Sequence, residues 1–230
     1  MKILYSGCSY VMGAEVERSE RFSKLVSDAL GATEYNIAYG GRSNMLSLAL
    51  TITQAQETNP DYIVFGATSL ARSFGLTDLS ISSKFNDLAE WNEKSEFQNI
   101  HSNVFSFSPT QPSPHAAVNQ SIPVYRNNLF AHLELACIVN TLSEFSRNSG
   151  VPVCVFPAMN IKQYPEEING VSVQDTVLSV KNNPNWLDHN FHNMAKENND
   201  IRRQGHPGAL THRQFSAILI ERIKRDLNDK

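Results

Sequence analysis

Four short segments carry residue types that could perform acyl chemistry together. The first is Lys2-Ile3-Leu4-Tyr5-Ser6-Gly7-Cys8-Ser9-Tyr10-Val11-Met12-Gly13, an apolar run that ends in glycine-flanked small residues. Such a run reads as a buried strand feeding a tight loop, with Ser9 at the carboxyl end, where open α/β sheets place their ligands. A serine hydroxyl is almost wholly protonated at neutral pH. It attacks a carbonyl only with a base in hydrogen-bond reach and donors aimed at the oxygen that becomes negative. The far end of the chain offers the base, His206, in Gly205-His206-Pro207-Gly208 ahead of a final helix. Gly41 follows a second strand, where the missing side chain lets a backbone N–H approach a substrate closely. Thr68 and Ser69 follow a third. These are strand ends and helix starts of one sense, so they can converge at one edge of a sheet.

The elements needed to position them are legible in order. Phe22, Leu25, Val26, Ala29 and Leu30 recur at helical spacing, and Gly31 is placed to stop that helix. Glu34–Ala38 is a short strand ended by Gly40-Gly41. Ser43 can cap the next helix, whose apolar stripe reads Leu46, Ala49, Leu50 and Thr53, with Asn59-Pro60 as the stop. Tyr62–Phe65 is a continuous apolar run, as in a strand covered on both faces. This is βαβαβ within the first 67 residues, and right-handed crossovers make a parallel three-layer α/β/α sheet the natural architecture. A helix is predicted from about residue 127 to 148, carrying Leu129, Leu133, Ala136, Cys137 and Ile138. Val151–Phe156 is a further buried strand, and the last helix places Phe215, Ile218, Leu219, Ile223 and Leu227 on one face. The polar stretches 75–126 and 157–204 read as insertions in a single domain spanning 1–230. The aromatics Phe85, Trp91, Phe97, Phe105, Phe107 and Tyr125 anchor the first insertion, and Trp186 lies in the second.

Composition narrows the function. A formal net charge of −3 with no basic stripe argues against nucleic acid. No run approaches a membrane span, and the opening apolar stretch is too short for a signal segment. Three cysteines, Cys8, Cys137 and Cys154, form no spaced framework, so free thiols and a cytoplasmic location are expected. Asp188-His189 with His192 has a spacing compatible with a metal on one helical turn, but no further protein ligand is evident, so no metal is expected. The opening loop lacks both a phosphate-cradling glycine set and its lysine, which argues against a nucleotide, and no cofactor is expected. Cys8 is the less favoured nucleophile because neighbouring turn residues rarely both face a cleft. His212 reads as a packing or cap residue in the last helix.

On these residues the chain resembles the SGNH (GDSL-type) hydrolase superfamily. Gly7-Cys8-Ser9 is similar to its first block, Gly-Asp-Ser, with Ser9 at the nucleophile. Asn36-Ile37-Ala38-Tyr39-Gly40-Gly41 is similar to the second, Asn-x-Gly-x-x-Gly, with Gly41 at the oxyanion glycine and Ala38 at the earlier one. Gly66-Ala67-Thr68-Ser69 stands where the third, Gly-x-Asn-Asp, is expected, and His206-Pro207 resembles the last, Asp-x-x-His-Pro. The resemblance implies a flavodoxin-like sheet and a metal-free serine esterase or deacylase working through an acyl-Ser9 intermediate. His206 would be the base, and the Ser9 and Gly41 N–H groups the oxyanion donors. A small-molecule or carbohydrate acyl ester is the implied substrate.

Three departures stand out. Cys8 replaces an aspartate that is not the nucleophile. No asparagine occupies the third block, which leaves the Thr68 hydroxyl, Asn44 or another group as the side-chain donor. Arg203 occupies the position of the aspartate that orients the histidine, leaving Asp200, Asp188 or a backbone carbonyl for that task. Asn44, Arg72 and Arg203 are the candidate substrate-binding residues. Acyl transfer on the same site and a catalytically weak binding protein on the same scaffold remain as alternatives.

Overall fold

The computed structural model describes residues 1–69, 73–76, 104–107, 128–159, 167–168, 171–172 and 178–228. Arg72 and the aromatics Phe85, Trp91, Phe97 and Tyr125 lie outside the described residues, as does most of the 75–126 insertion.

Strand β1 (Lys2–Ser6) lies between β2 (Thr33–Asn36) and β3 (Tyr62–Ala67), and β6 (Val153–Pro157) flanks β3. All pairings in this four-stranded sheet are parallel, with Leu4 opposite both Tyr35 and Ile63, and Phe65 opposite Val155. Successive residues of a strand point to opposite faces, so each central strand feeds two cores. On one face Leu4, Ile63, Phe65, Val153 and Val155 pack against α3 (Asn44–Thr58) and α4 (Asn128–Ser149). On the other, Ile3, Tyr5, Val64 and Phe156 meet α2 (Phe22–Ala29), α5 (Phe191–Glu197) and α6 (Ala209–Asn228). The result is the expected three-layer α/β/α arrangement. Two small antiparallel pairs stand apart from it: β4 (Ser73–Leu76) with β5 (Val104–Phe107), and β7 (Glu167–Ile168) with β8 (Val171–Ser172).

The helix ends follow local chemistry. Gly31 takes a left-handed φ of 59° just past α2, and the Ser43 hydroxyl accepts the Leu46 N–H to cap α3. Several faces differ from the sequence expectation. Ala49 and Thr53 of α3 face solvent, while Leu46, Leu50, Thr51 and Gln54 are buried. On α4 the core face is Leu135, Ile138, Val139 and Leu142, whereas Leu133 and Cys137 are exposed. That helix carries apolar residues on more than one side, and only packing decides which side is covered. The stretch 157–204 is also less of an insertion than it reads. Val155 donates its N–H to Asn185 and accepts that of Leu187, so residues 185–187 extend the sheet beyond β6, with Trp186 buried.

Candidate active site

Gly7, Cys8 and Ser9 turn the chain from β1 into α1 (Ser9–Met12). Cys8, at the helix N-cap, is fully buried in the core. This removes it as a nucleophile, since a thiol sealed among apolar groups is inert. Ser9 opens the helix, where the first N–H groups have no intrahelical acceptor. Among the described residues neither its N–H nor its hydroxyl is hydrogen-bonded.

The second-block loop lies against this helix start. Asn36 ties it down: its amide donates to the Val11 carbonyl (3.0 Å) and the Ser23 hydroxyl (2.9 Å), and its side-chain oxygen accepts the Ala38 N–H (3.0 Å). Tyr39 donates its N–H to the Gly7 carbonyl at 3.2 Å. Tyr39–Arg42 then form a turn with Gly41 third at φ 80°, the position where a type II turn requires glycine. A side chain at Gly40 would begin 3.9 Å from the Ser9 Cβ, which puts this turn directly beside the serine. Arg42, which the sequence did not single out, anchors the turn. It is buried, donates to the Ile37 carbonyl and sits 5.3 Å over the Tyr39 ring. Burial pulls its guanidinium down to about 10, with Tyr39 opposing.

Asn44 and Thr68 are not the free donors that the third-block departure called for. The Asn44 side chain accepts the Thr68 N–H at 2.7 Å and donates to the Thr68 carbonyl at 3.2 Å. The Thr68 hydroxyl donates to the Met159 sulfur at 3.3 Å. Both residues are 1% exposed. They clamp the start of α3 to the end of β3 rather than line a substrate pocket.

His206 arrives from the opposite end of the chain, and the α1 segment receives it. Its ring lies 5.3 Å from that of Tyr10, the residue next to Ser9, and the Tyr10 hydroxyl donates to the Gly205 carbonyl at 2.8 Å. The same hydroxyl is 3.0 Å from Nδ1 of His192. The loop is closed by an Ile201–Pro207 bridge and by the Arg202 N–H donating to the His206 carbonyl at 2.8 Å. His206 Nδ1 is 2.8 Å from Oε2 of Glu15, a residue the sequence reading passed over. Glu15 also accepts the Gln204 N–H with both oxygens, at 3.1 and 3.0 Å. Partial burial works to raise this carboxyl. The hydrogen bonds from His206 and Gln204 outweigh it and hold Glu15 below the usual carboxylate range. The other His206 ring nitrogen, Nε2, has no partner among the described residues.

The expected orienters are elsewhere. Asp200 accepts the Thr211 N–H at 2.8 Å and so caps α6. Asp188 faces Lys181 at 4.0 Å. Arg203 is exposed in the turn that Gly205 closes. His189 bonds the carbonyl of its neighbour Asp188, and among the described residues no three potential ligands gather to hold a metal. His212 is the packing residue expected of it. It is fully buried, its Nδ1 accepts the Phe22 N–H at 3.0 Å, and its ring stacks on that of Phe22.

No family model matches the chain, and no curated protein matches it in sequence. Solved structures do resemble it. The psychrotrophic esterase EstA from Pseudoalteromonas sp. aligns over 99% of this chain and 98% of its own, with a TM-score of 0.55 and 12% identity. TesA aligns over 99% and 98% with a TM-score of 0.52 and 11% identity. The acetyl xylan esterase AlAXEase aligns over 97% and 100% with a TM-score of 0.50 and 13% identity. At these identities the likeness is one of fold, the three-layer α/β/α arrangement described above.

Proposed function

We propose that the chain is a serine-type ester hydrolase with Ser9 as nucleophile and His206 as base. The observation that carries this reading is the meeting of the two chain ends. A serine at a helix start, without a hydrogen-bond partner for its hydroxyl among the described residues, lies one residue from the tyrosine that clasps the histidine loop. In the first half-reaction the Ser9 oxygen bonds to the carbonyl carbon of the ester while His206 Nε2 takes the hydroxyl proton. The oxygen that becomes negative is held by the Ser9 and Gly41 N–H groups. Collapse breaks the ester C–O bond, and the alcohol leaves with the proton from His206. A water then attacks the acyl-Ser9 carbonyl as His206 takes its proton. The proton returns to the Ser9 oxygen as the acid departs.

Two of the proteins of this fold named above are esterases, one of them an acetyl xylan esterase, which supports a short acyl ester on a small molecule or carbohydrate as the substrate. The missing aspartate three residues before His206 and the missing third-block asparagine favour a catalytically weak binding protein on this scaffold. The Glu15 carboxylate on the same imidazole weakens that argument. Acyl transfer to a bound alcohol differs only in the second acceptor, and added acceptor that diverts product from the free acid would reveal it.

Incubation with a fluorophosphonate probe and with short p-nitrophenyl esters tests the reading. Labelling that disappears in Ser9→Ala and turnover that disappears in His206→Ala are expected. A wild-type protein that takes no label and hydrolyses none of the esters above background would refute it.

A further inference from the structure

We infer that Glu15 is the positioning residue for His206, so that the segment bearing the nucleophile also holds the base. The inference rests on the ester-hydrolase reading and adds the group that makes the imidazole competent. A carboxylate only accepts hydrogen bonds, so the 2.8 Å contact requires Nδ1 to carry the proton. Nε2 is then left with its lone pair, the form in which it can take a proton from a serine hydroxyl. No other described carboxylate competes for the ring, since Asp200 is engaged at the start of α6.

The geometry of the supporting segment points the same way. Gly13 ends α1 at φ 78°, and a Cβ there would lie 2.7 Å from that of Arg21, so the chain can double back only with glycine. Glu15 follows at φ 66°, a left-handed conformation that L-residues other than glycine adopt rarely and at an energetic cost. That backbone delivers both carboxylate oxygens to Gln204 and one of them to His206. Tyr10 holds the residue between those two through the Gly205 carbonyl. The histidine loop is therefore gripped at three successive residues by side chains from the α1 segment. The carboxylate and imidazole side chains are 19% and 15% exposed, sheltered enough for the bond to persist against water.

The test uses the full chain, wild type and Glu15→Gln, with the His206 ring nitrogens read by 15N NMR above the titration range and Ser9 read by fluorophosphonate labelling. The wild type is expected to show the Nδ1–H tautomer. Glutamine can donate as well as accept, and Glu15→Gln is expected to lose that preference. Its kcat for a p-nitrophenyl ester and its labelling rate should fall by about 10²–10⁴-fold, with KM within about threefold. A wild-type Nε2–H tautomer overturns the assignment without any variant, so it stays testable if Glu15→Gln folds poorly. Retention of the Nδ1–H tautomer, or of kcat within about threefold, in a folded Glu15→Gln also overturns it. The two readings fail separately. A wild type that neither labels nor turns over removes the hydrolase, while the tautomer still reports whether Glu15 holds the ring.

Discussion

Acidification from pH 7 to pH 5 should destabilise this fold through His212, a packing residue of α6 that takes no part in the proposed chemistry. The ring is fully buried between Phe22 and Phe191, with centroids at 5.6 and 4.9 Å. Its Nδ1 accepts the Phe22 N–H, and its Nε2 has no hydrogen-bond partner among the described residues. Protonation would set a cation against a backbone donor in an apolar cage. Burial accordingly drives the imidazole down to about 3, with Asp200 opposing and Arg21 and His206 adding to the depression. A histidine depressed below its unfolded value contributes stability that is complete above about pH 6.5 and drains as pH falls toward 3. Between pH 7 and pH 5 the unfolded chain takes up this proton and the folded chain does not, a loss of about 1.9 kcal/mol at ~1.36 kcal/mol per pH unit. His132 and His192 are also depressed by burial, so the comparison needs a variant that isolates one ring. In His212→Asn the side-chain oxygen can still accept the Phe22 N–H. Urea titrations of both proteins at pH 7 and pH 5 should show the wild type losing about 2 kcal/mol more than the variant. Parallel pH dependence in the two proteins would refute the buried-neutral account of His212.

Other outcomes follow from individual contacts. Tyr10→Phe removes the bond to the Gly205 carbonyl and the partner of His192. It should lower stability by about 1–2 kcal/mol in urea and kcat/KM by roughly tenfold as the histidine loop loosens. Asp200→Ala loses the side-chain cap on Thr211 and should cost about 1 kcal/mol in a denaturant titration while leaving ester turnover near wild type. A thiol reagent should modify Cys137 rapidly in the native protein and Cys8 and Cys154 only on unfolding, because both are buried and burial pushes Cys154 up to about 12.

The frame of the fold was open to reading because its signals are local. Apolar runs such as Tyr62–Phe65, a capping serine at position 43 and a stop at Gly31 each act within a turn or two of themselves. What escaped depends on which surface a neighbour covers. The sequence places Leu129, Leu133, Ala136, Cys137 and Ile138 on the α4 stripe, yet packing against the sheet covers Ile138 together with Leu135, Val139 and Leu142 and leaves Leu133 and Cys137 exposed. Residues 185–187 carry no strand pattern of their own and gain one only because Val155 offers both of its backbone groups.

The site divides along the same line. Ser9, Gly41 and His206 sit at places that short motifs can mark, since each is defined by the turn around it. The group that meets His206 is separated from it by 191 residues, and no spacing rule links them. Analogy pointed to a carboxylate on the histidine's own loop, where Arg203 stands and Asp200 is the nearest substitute. The chemistry constrains only where an acceptor lies relative to Nδ1, not which loop supplies it. A side chain entering from the α1 segment meets that requirement as well as one three residues before the histidine. On the proposed reading it also ties His206 to the chain segment that follows Ser9 and α1. On the proposed reading an arginine at position 203 is no loss to the imidazole, because Glu15 already supplies the carboxylate contact.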